Sequence, residues 1–373
     1  MPDGYLIQIV NGKAGLASLE PEIEQLAANA SHLNPFFAPE WLDAWNSQVG
    51  MVYNPVLLTV RNGDGELAGF WPFVEQPAIF GKGLWPMGYH MADYLDPLYL
   101  HEEPILRVRL IEGLDQLLNE HRFIWLPLLR KEFAQDYLRP YFARKRQPIL
   151  FAPGATRHFI EFGEQSVEEL LQSALGSKSR KTLRYTRKKM EEMGNLEFRV
   201  MSTQADVEKF LPEFELIEDA SWKSSEDTGL FHHLGMREFY KQLLPVMAGS
   251  GRVQLSALLL NKKPIACELA FLIGGNYCLH NTSYMPEYAE FSPGRHLFLE
   301  NLNRSADKGL KCIDFMQGDQ KYKQKFGTSS EPIYTVSLFQ KSFAGRVNHF
   351  IIGGIQKRRA ANAMKAKLVK DEE

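Results

Sequence analysis

The sequence has few cysteines, little net charge and no long apolar run, and each absence argues against a class of protein. It contains three cysteines in 373 residues, and its formal net charge is −2. Three cysteines at spacings that match no zinc motif favour buried thiols, and they predict no metal site. A nearly neutral chain also lacks the basic excess of a protein that binds nucleic acid over its whole surface.

The location of the protein is predicted from the same absences. No apolar run approaches the roughly 20 residues that a membrane-spanning helix needs. The N-terminus, MPDGYLIQIVNGK, lacks a basic segment followed by an apolar core, so it does not read as a signal peptide. Cys267, Cys278 and Cys312 all fall in predicted strands, where reduced thiols indicate a reducing compartment. We therefore expect a cytoplasmic protein without a transmembrane segment.

The length and the order of predicted elements indicate two domains. A chain of 373 residues with 45% apolar and 24% charged residues is globular and too long for one ordinary core. The order strand, helices, antiparallel hairpin, helix and strand occurs once before about residue 155 and again after it. The segment KRQPILFAPGATR, with two prolines and a glycine, marks the boundary. We predict an α+β fold with domains at 1–152 and 153–345 and a basic tail at 346–373.

The stretch 251–327 contains the strongest candidate for an anion site. Three strand-like runs (RVQLSALLL, PIACELAFLI and NYCLHNTS) are followed by a loop in which SPGRH opens a helix. A helix N-terminus leaves backbone N–H groups unpaired and carries partial positive charge, which suits a phosphate. Gly294 allows close backbone approach, and Arg295 adds a positive charge. Helices often begin with Ser-Pro-Gly, so an ordinary helix start is the alternative.

The hairpin before that turn places one carboxylate inside an apolar strand. If GGN at 274–276 forms a three-residue turn, Glu268 lies opposite Thr282 and Ala270 lies opposite His280. Glu268, His280 and Thr282 then share one face of the sheet, whereas a two-residue turn would reverse the pairing. Burying an unpaired carboxylate is costly, so we expect Glu268 to have a raised pKa and to accept a proton, or to pair with a cation or face solvent.

Two further polar segments are candidate binding regions. In GDQKYK, Asp319, Tyr322 and Lys323 follow a strand end, where ligand-binding loops gather. In KSRKTLRYTRKK at 178–189, seven of twelve residues are basic, and an apolar stripe through Leu183 predicts an amphipathic helix. Its basic face either is solvated or contacts an anionic ligand.

The C-terminal tail is the last charged segment. From residue 346 onward it carries seven Lys or Arg residues against three acidic ones, with FIIGGI near its start. It is expected to be an extra helix, a weak contact with a membrane surface, or a frayed end.

These motifs together resemble a known family. WK at 222–223, PIACEL, SYMPEY, FSPG, CIDF and GDQKYK followed by FG resemble the BioF2-like (CelD-like) acetyltransferase domain of the GNAT superfamily, which is related to the Fem aminoacyltransferases. The resemblance is best over Ser177–Gly327, and FFAPEWLDAW, LAGFWPFV and DYLDPLYL extend it over most of the chain. Met285 departs from the aspartate that is usual there, and EFSPGRH replaces the superfamily's Gln/Arg-x-x-Gly-x-Gly/Ala signature.

The resemblance implies a fold and a set of site residues. The fold is two GNAT-like domains, each a mixed, mostly antiparallel sheet flanked by helices, with acyl-CoA or acetyl-CoA bound as co-substrate by the second. The implied phosphate-binding turn is Ser292, Pro293, Gly294, Arg295 and His296. The implied catalytic residues are Glu268 or His280 as the base and Tyr284 as the proton donor to the thiolate, with Tyr322 as the alternative donor. The implied acceptor contacts are Trp222, Lys223, Asp319, Tyr322 and Lys323.

Three functions fit this sequence. We expect an N-acyltransferase that moves an acyl group from acyl-CoA directly to an amine of a small molecule, peptide or sugar. The first alternative is Fem-like transfer from aminoacyl-tRNA, in which the basic helix binds the nucleic acid. The second is a non-catalytic accessory protein of polysaccharide or envelope biosynthesis. The sequence indicates neither the acyl chain, nor the acceptor amine, nor the oligomeric state.

Overall fold

A computed structural model describes residues 4–30, 34–78, 81–100, 103–163, 165–221, 223, 229–318 and 320–354. Thirteen strands are formed in these ranges. They are β1 Leu6–Asn11, β2 Pro55–Arg61, β3 Leu67–Ala78, β4 Gly81–Pro86, β5 Leu98–Tyr99, β6 Phe123–Arg130, β7 Ile149–Glu161, β8 Leu196–Met201, β9 Val253–Leu260, β10 Lys263–Ile273, β11 Asn276–Tyr284, β12 Cys312–Gln317 and β13 Ser329–Phe339.

Helices connect and flank these strands. They are α1 Gly12–Asn29, α2 Pro39–Gln48, α3 Pro104–Glu120, α4 Arg139–Arg144, α5 Val167–Ala174, α6 Ser177–Met193, α7 Gln204–Ala220, α8 Met236–Gly249, α9 Pro293–Asp307, α10 Lys321–Phe326 and α11 at 343–354. A π-helical segment, Glu132–Leu138, precedes α4, and short 3-10 turns occur at Pro35–Phe37, Gly50–Val52 and Pro286–Phe291. Among the described helices, none combines the length and the apolarity needed to cross a bilayer.

The chain divides into two compact units that are discontinuous in sequence. Unit 1 comprises Met1–His32, Tyr53–Gly154 and Pro332–Glu373, and unit 2 comprises Leu33–Val52 and Ala155–Glu331. The predicted ranges 1–152 and 153–345 differ from these units because they assign 33–52 and 332–345 to the other domain. A change in composition marks a boundary between domains along the sequence. It does not show that a segment on one side of the boundary packs into the domain on the other side.

Unit 1 is a mixed sheet with helices. Its strands follow the order β1-β2-β3-β4-β6-β13, with β5 paired to β3. Neighbours are antiparallel except for β4 and β6, which run parallel and pair at Gly83–Phe123 and Leu84–Ile124. The β2–β3 hairpin turns at Asn-Gly-Asp-Gly, as its sequence predicts.

Unit 2 repeats this plan. Its strands follow the order β7-β12-β11-β10-β9-β8, and β9, β10 and β11 form an antiparallel meander. The helix α9 then leads to β12, which is parallel to β11. In both units a meander, a helix and a parallel strand follow each other, which confirms the predicted repetition of element order. The three cysteines are buried thiols in β10, β11 and β12, as predicted, and they form no disulfide among the described residues.

The segment 33–52 belongs to unit 2 because its aromatic side chains pack there. Phe36 and Trp41 are buried, with 0% and 1% of their surface exposed. The Phe36 ring lies 5.6 Å from the Phe271 ring of β10, and the Trp41 ring lies 5.5 Å from the Phe239 ring of α8. Glu40 adds a salt bridge to Arg252 at 2.7 Å. The helix α2 is therefore an integral part of the second core.

Candidate active site

The β10–β11 hairpin is closed by a two-residue turn and contains one extra residue. Ile273 pairs with Asn276, so only Gly274 and Gly275 form the turn, and both have positive φ angles, 61° and 79°. A turn of this length would by itself reverse the predicted pairing. The register shifts between Leu269 and Ala270, however, where Leu269 faces Asn281 and Ala270 faces Leu279. The extra residue, His280, therefore forms a β-bulge.

The bulge restores one predicted pair and abolishes the other. Beyond it, Glu268 lies opposite Thr282, as predicted. Ala270 does not lie opposite His280, so that prediction was wrong. His280 contacts Phe271 and Tyr240, whereas Glu268 contacts side chains of α9 and β11 on the opposite face of the sheet. The bulge thus separates the two proposed bases.

Glu268 is fully buried and accepts three hydrogen bonds. Its surface is 0% exposed. Tyr277 Oη donates to Oε1 at 2.6 Å, Asn301 Nδ2 donates to Oε1 at 2.8 Å, and Thr282 Oγ1 donates to Oε2 at 3.3 Å. Asn301, on α9, also donates to Ser256 Oγ at 2.7 Å. Polar side chains from β9, β11 and α9 therefore surround this one carboxyl group.

Burial sets the protonation of this carboxyl group. Removal from water raises the pKa of Glu268 from its ordinary value of 4.5 to about 7, although its three hydrogen-bond donors favour the ionised form. Burial likewise raises the pKa of Tyr277, so its phenol stays a donor. A carboxyl group with a pKa near neutrality can both accept and release a proton at physiological pH.

The first turn of α9 lies directly against β11. Ser292 has φ 55° and ψ 52°, a left-handed conformation that redirects the chain into Pro293 at the first helical position. A Cβ added to Gly294 would lie 3.2 Å from Thr282 Cγ2 and 3.6 Å from Tyr284 Cδ1. The turn, Thr282 and Tyr284 therefore meet at one place, where a Cβ at position 294 would make a tight contact with Thr282.

The two basic residues of this turn have different surroundings. Arg295 is exposed, and its backbone N–H donates to Ser292 O at 3.0 Å. His296 is buried, and its Nε2 lies 2.9 Å from Thr186 Oγ1 of α6. Burial, together with the charge of Arg187, lowers the pKa of His296 to about 4, so the ring is neutral at physiological pH. The imidazole therefore packs against α6 and adds no positive charge to the turn.

The opposite face of β11 has an aromatic pocket around His280. Its Nε2 lies 2.9 Å from Tyr240 Oη of α8. The rings of Phe271 and Phe36 lie 5.2 Å and 5.8 Å from the imidazole. His280 is half-buried, so its imidazole has access to solvent that Glu268 lacks, whereas Tyr240 is buried.

A second buried polar network lies next to that pocket. Lys223 Nζ donates to Asn281 Oδ1, to Thr282 O at 2.6 Å and to Ser283 Oγ at 3.3 Å. Glu218, 1% exposed on α7, accepts from Asn281 Nδ2 at 2.8 Å and from Ser283 Oγ. Burial lowers the pKa of Lys223. The ammonium group therefore directs its hydrogen bonds to β11 itself.

The parallel strands β11 and β12 are in register over a short length. They pair through Asn276–Cys312, Tyr277–Ile313 and Cys278–Asp314, whereas β11 continues to Tyr284. In β12, Met316 has a positive φ of 57°, and the pairing with β7 shifts between Asp314 and Gln317. Beyond Cys278, the backbone of β11 has no ladder partner in β12 within the described strands.

The GDQKYK segment folds inward. Lys323 is 7% exposed, and its Nζ donates to Gln317 O at 2.6 Å. The Tyr322 ring lies 6.0 Å from the Phe315 ring and packs on the core of unit 2. Asp314 pairs with Arg157 at 2.9 Å. Trp222 and Asp319, the other two predicted acceptor contacts, lie outside the described residues.

The structure brings together Glu268, Thr282, Tyr284 and the turn Ser292–Gly294, but places His280 and Lys223 on the other face. Sequence reasoning missed the partners of these residues, namely Tyr277, Asn301, Ser256, Tyr240, Glu218, Asn281 and Ser283. Glu218 could have been found from the sequence, because it follows the buried Phe214 by four residues and is a charged residue on the apolar face of α7. Asn301 could have been found in the same way, because it is a polar residue on the buried face of α9.

The sequence of this region matches a family model described as an acetyltransferase (GNAT) domain, over residues 177–324. That range contains the meander, the turn before α9 and both polar networks. Residues 177–324 are thus similar to a GNAT acetyltransferase domain. The match covers less than half of the chain, and no curated protein sequence matches it significantly.

Solved structures show that the GNAT-type fold extends beyond the matched range. FemX superposes with a TM-score of 0.61 at 9% identity, over 85% of this chain and 95% of FemX. A conserved protein of unknown function from Bacteroides thetaiotaomicron VPI-5482 has a TM-score of 0.55 at 12% identity, over 86% and 97%. L-PGS from Bacillus licheniformis has a TM-score of 0.50 at 13% identity, over 78% and 86%. The predicted α+β class with two GNAT-like domains is confirmed.

Proposed function

We propose that this protein transfers an acyl group from acyl-CoA to an amine, and that unit 2 holds the donor. The observation that carries the proposal is the meeting of the α9 turn with the part of β11 beyond Cys278. There β11 has no ladder partner in β12 within the described strands, and such a strand edge suits the amide groups of a pantetheine arm. The partial positive charge at the N-terminus of α9 suits its phosphates.

The residues present fit such a donor. Gly294 leaves a gap that a Cβ would fill, since that atom would lie 3.2 Å from Thr282 Cγ2. Arg295 is exposed beside the turn and supplies a charge for a phosphate. The side chain of His296 takes no part, because it is buried against Thr186. The N–H groups of Ser292, Arg295 and His296 donate to carbonyl oxygens, and Pro293 has none. The proposed phosphate contacts are thus the backbone N–H of Gly294 and the Arg295 side chain.

We place the proton acceptor at Glu268, with Thr282 as the connecting group. As the amine nitrogen attacks the thioester carbonyl, the C–N bond forms and the C–S bond then breaks. The ammonium proton passes to Thr282 Oγ1, whose own proton moves to Glu268 Oε2 along the existing 3.3 Å hydrogen bond. Tyr284, half-buried beside the turn, protonates the leaving thiolate. The proton count balances when, after product release, Glu268 gives up its proton to solvent and Tyr284 takes one up from solvent.

With Glu268 as the base, the acceptor amine approaches the face of β11 that carries the Thr282 hydroxyl group; an approach from the other face would use His280. His280, half-buried, and Tyr240, buried, lie on that other face and are hydrogen-bonded to each other. His280 is the alternative base, because the bulge turns it towards this side. We assign Lys223 a structural role and no direct contact with the substrate. Its ammonium group holds β11, because Asn281, Thr282 and Ser283 accept hydrogen bonds from it.

An acyl-transfer assay tests this function. The purified protein is incubated with acetyl-CoA and a panel of primary amines, including amino sugars and amino acids, and free thiol is measured. We expect thiol release that depends on one class of amine, and a rise in melting temperature with CoA alone. Ligand at 100 times its dissociation constant stabilises the folded state by about 2.7 kcal/mol. The absence of both signals, with acetyl-CoA and with longer acyl-CoAs, would contradict the proposal.

One observation favours Fem-like transfer from aminoacyl-tRNA as a second candidate. The outer face of α6 exposes Lys178, Lys181, Arg184 and Lys188, with Tyr185 61% exposed among them. Such a face suits a nucleic-acid backbone, with an aromatic ring available for stacking. Arg187 does not contribute, because it pairs with Glu300 at 2.6 Å.

Salt dependence distinguishes the two candidates. Binding of a bulk tRNA mixture should fall steeply with salt if α6 neutralises several phosphates. The double substitution Lys181→Gln and Lys188→Gln should then weaken tRNA binding and leave acetyl-CoA binding unchanged. Lys209→Gln, an exposed lysine on α7, is the matched control. No measurable tRNA binding would remove this candidate.

A further inference from the structure

The helices α7 and α8 form a groove on the surface of unit 2. Its volume is about 450 Å³, which is within the usual range for sites that bind a ligand or a side chain. Apolar and polar side chains line it together, namely Leu211, Pro212, Pro245 and Val246 with Gln204, Glu208, Glu215, Lys241 and Gln242. The groove therefore combines an apolar surface with hydrogen-bonding and charged groups.

Each of the two helices contains a proline at this groove. Pro212 lies inside α7, and Pro245 lies inside α8. Because proline has no N–H group, the carbonyl oxygen four residues earlier loses its helical donor. Those oxygens belong to Glu208 and Lys241, and both residues line the groove. The groove therefore offers two backbone acceptors to the donors of a partner.

The charge of this surface favours a basic partner. The helix α7 contains six acidic residues and one basic residue, and α8 contains one acidic and two basic residues, so the pair carries a net charge of −4. In the groove, the exposed Glu208 carboxylate accepts a hydrogen bond from the uncharged Gln204 side chain at 2.8 Å. A carboxylate with a neutral neighbour can still pair with a cation.

The helix α6 presents side chains that are complementary to this groove. Lys181, Arg184, Tyr185 and Lys188 are exposed, and their spacing of i, i+3, i+4 and i+7 places them on one face. Helices that bind in grooves present anchors at this spacing. No described residue forms a hydrogen bond or a salt bridge with the side chain of Lys181, Arg184 or Lys188. Tyr185, between them, is 61% exposed.

The helix and the groove of one copy lie on opposite sides of the same sheet. Arg187 of α6 forms a salt bridge with Glu300 of α9 at 2.6 Å, and α9 covers the side to which Glu268 points. The helix α7 contacts the other side, where Glu218 accepts from Asn281 of β11. The two surfaces can therefore meet only when they belong to different copies.

We propose that α6 of one copy binds in the groove between α7 and α8 of a second copy. Lys181, Arg184 and Lys188 donate to the freed carbonyl oxygens and to the Glu208 carboxylate, and the Tyr185 ring packs on the prolines. Because the two surfaces differ, the contact is heterologous, and each end of such a pair can bind a further copy. The proposal is independent of the donor site, since it uses neither β11 nor the α9 turn.

Sedimentation velocity of the full chain tests this proposal. We expect species larger than a monomer, whose share grows with protein concentration at about 0.05 M salt and falls at about 0.5 M salt. The double substitution Lys181→Glu and Lys188→Glu should raise the dissociation constant at least about tenfold. Gln204→Lys with Glu208→Lys, in the groove, should have the same effect. All four side chains are exposed, so both variants are expected to fold.

A proline variant separates binding from folding. Pro212→Ala restores a helical donor for the Glu208 carbonyl oxygen, and alanine is far more favourable than proline inside a helix. We expect a higher melting temperature together with weaker association, by about threefold. Stronger folding with unchanged association would overturn the role of the freed carbonyl oxygens.

Mixing the two double variants gives the most specific result. Each variant alone should remain monomeric, whereas an equimolar mixture should form a complex, because one variant retains its groove and the other retains its helix. Lys311→Glu with Lys325→Glu, at two exposed positions of unit 2 outside both surfaces, is the matched control and should associate as the unchanged protein does. An unchanged protein that stays monomeric at low salt, or a mixture without a complex, would overturn the proposal.

Discussion

At the scale of single residues, the candidate chemistry depends on one buried carboxyl group and one hydroxyl group. The sequence indicated Glu268 because a carboxylate in the run IACELAF contradicts the apolar pattern. It did not indicate Tyr277 or Asn301, because a tyrosine in a strand and an asparagine in a helix are ordinary in isolation. Their roles follow from hydrogen bonds to Glu268, which only the folded chain defines.

The first prediction concerns the proposed base. Glu268→Gln should lower kcat at least about 100-fold, because general-base catalysis is typically worth 10²–10⁴-fold, and should leave the affinity for acyl-CoA nearly unchanged. Thr282→Val should lower kcat in the same direction, because it removes the connecting hydroxyl group. Steady-state kinetics with both substrates varied provide the measurement. If His280→Gln abolishes turnover and Glu268→Gln does not, the base is His280.

The second prediction is a pH dependence of stability. The pKa of Glu268 is about 7 in the folded protein against an ordinary value of 4.5. The folded state therefore binds this proton more tightly, so the stabilisation is complete below about pH 4.5 and is lost as pH rises through 7. The free energy of unfolding of the unchanged protein, relative to Glu268→Gln, should fall by up to about 3 kcal/mol over this window.

The comparison with Glu268→Gln separates the effect of Glu268 on stability from that of His296, which has the opposite pH dependence. His296 has a pKa of about 4 against 6.5, so it favours the folded state increasingly as pH rises over that range. Because His296 is present in both proteins, its contribution cancels. Urea unfolding at several pH values gives the two curves, and parallel curves would contradict a raised pKa of Glu268.

At the scale of elements, β11 organises the site, and its bulge explains what the sequence predicted correctly and incorrectly. The pairing of Glu268 with Thr282 was predicted from a three-residue turn, yet the turn has two residues, and His280 supplies the shift. A bulge depends on contacts on both faces of the sheet, here with α8 and α9. No local pattern in GGNYCLHNT reports those contacts, so the face of His280 was mispredicted.

The third prediction concerns the hydrogen bonds by which Lys223 holds β11. Lys223→Met removes a donor to Thr282 O and leaves the neighbouring Glu218 carboxylate buried. Unsatisfied buried groups cost about 1–3 kcal/mol, so the free energy of unfolding should fall by that amount. Turnover should fall as well, because Thr282 shifts. Lys209→Met, on the exposed face of α7, should change neither quantity. A stable, fully active Lys223→Met variant would show that the position of β11 does not depend on the hydrogen bonds from Lys223.

At the scale of the whole molecule, the order of elements was predictable and the membership of 33–52 in unit 2 was not. Periodicity and turn residues define the repeated meander, helix and strand, because those signals are local. The packing of α2 into unit 2 depends on Phe36 and Trp41 meeting partners more than 190 residues later, Phe271 and Phe239. Aromatic residues in a helix predict burial but do not specify the core that receives them.

The fourth prediction tests this assignment. Trp41→Ala should destabilise unit 2 by about 3–5 kcal/mol, since it removes a large side chain that is 1% exposed. Binding of CoA should weaken in parallel, although Trp41 lies outside the residues proposed to hold the donor. Val52→Ala, at an 84% exposed position in the same segment, should have little effect. Denaturant unfolding followed with and without CoA provides both quantities, and an unaffected CoA response would contradict the assignment.

The central claim is that the α9 turn and β11 together hold an acyl-CoA donor, and calorimetric titration of acetyl-CoA tests it most directly. The Cβ of Gly294→Val would lie 3.2 Å from Thr282 Cγ2, whereas Gly163→Val places a side chain where nothing lies within 4 Å. We predict one binding site per chain, a dissociation constant at least about tenfold higher for Gly294→Val, and no change for Gly163→Val. Equal affinity in all three proteins, or no binding by any of them, would contradict the claim.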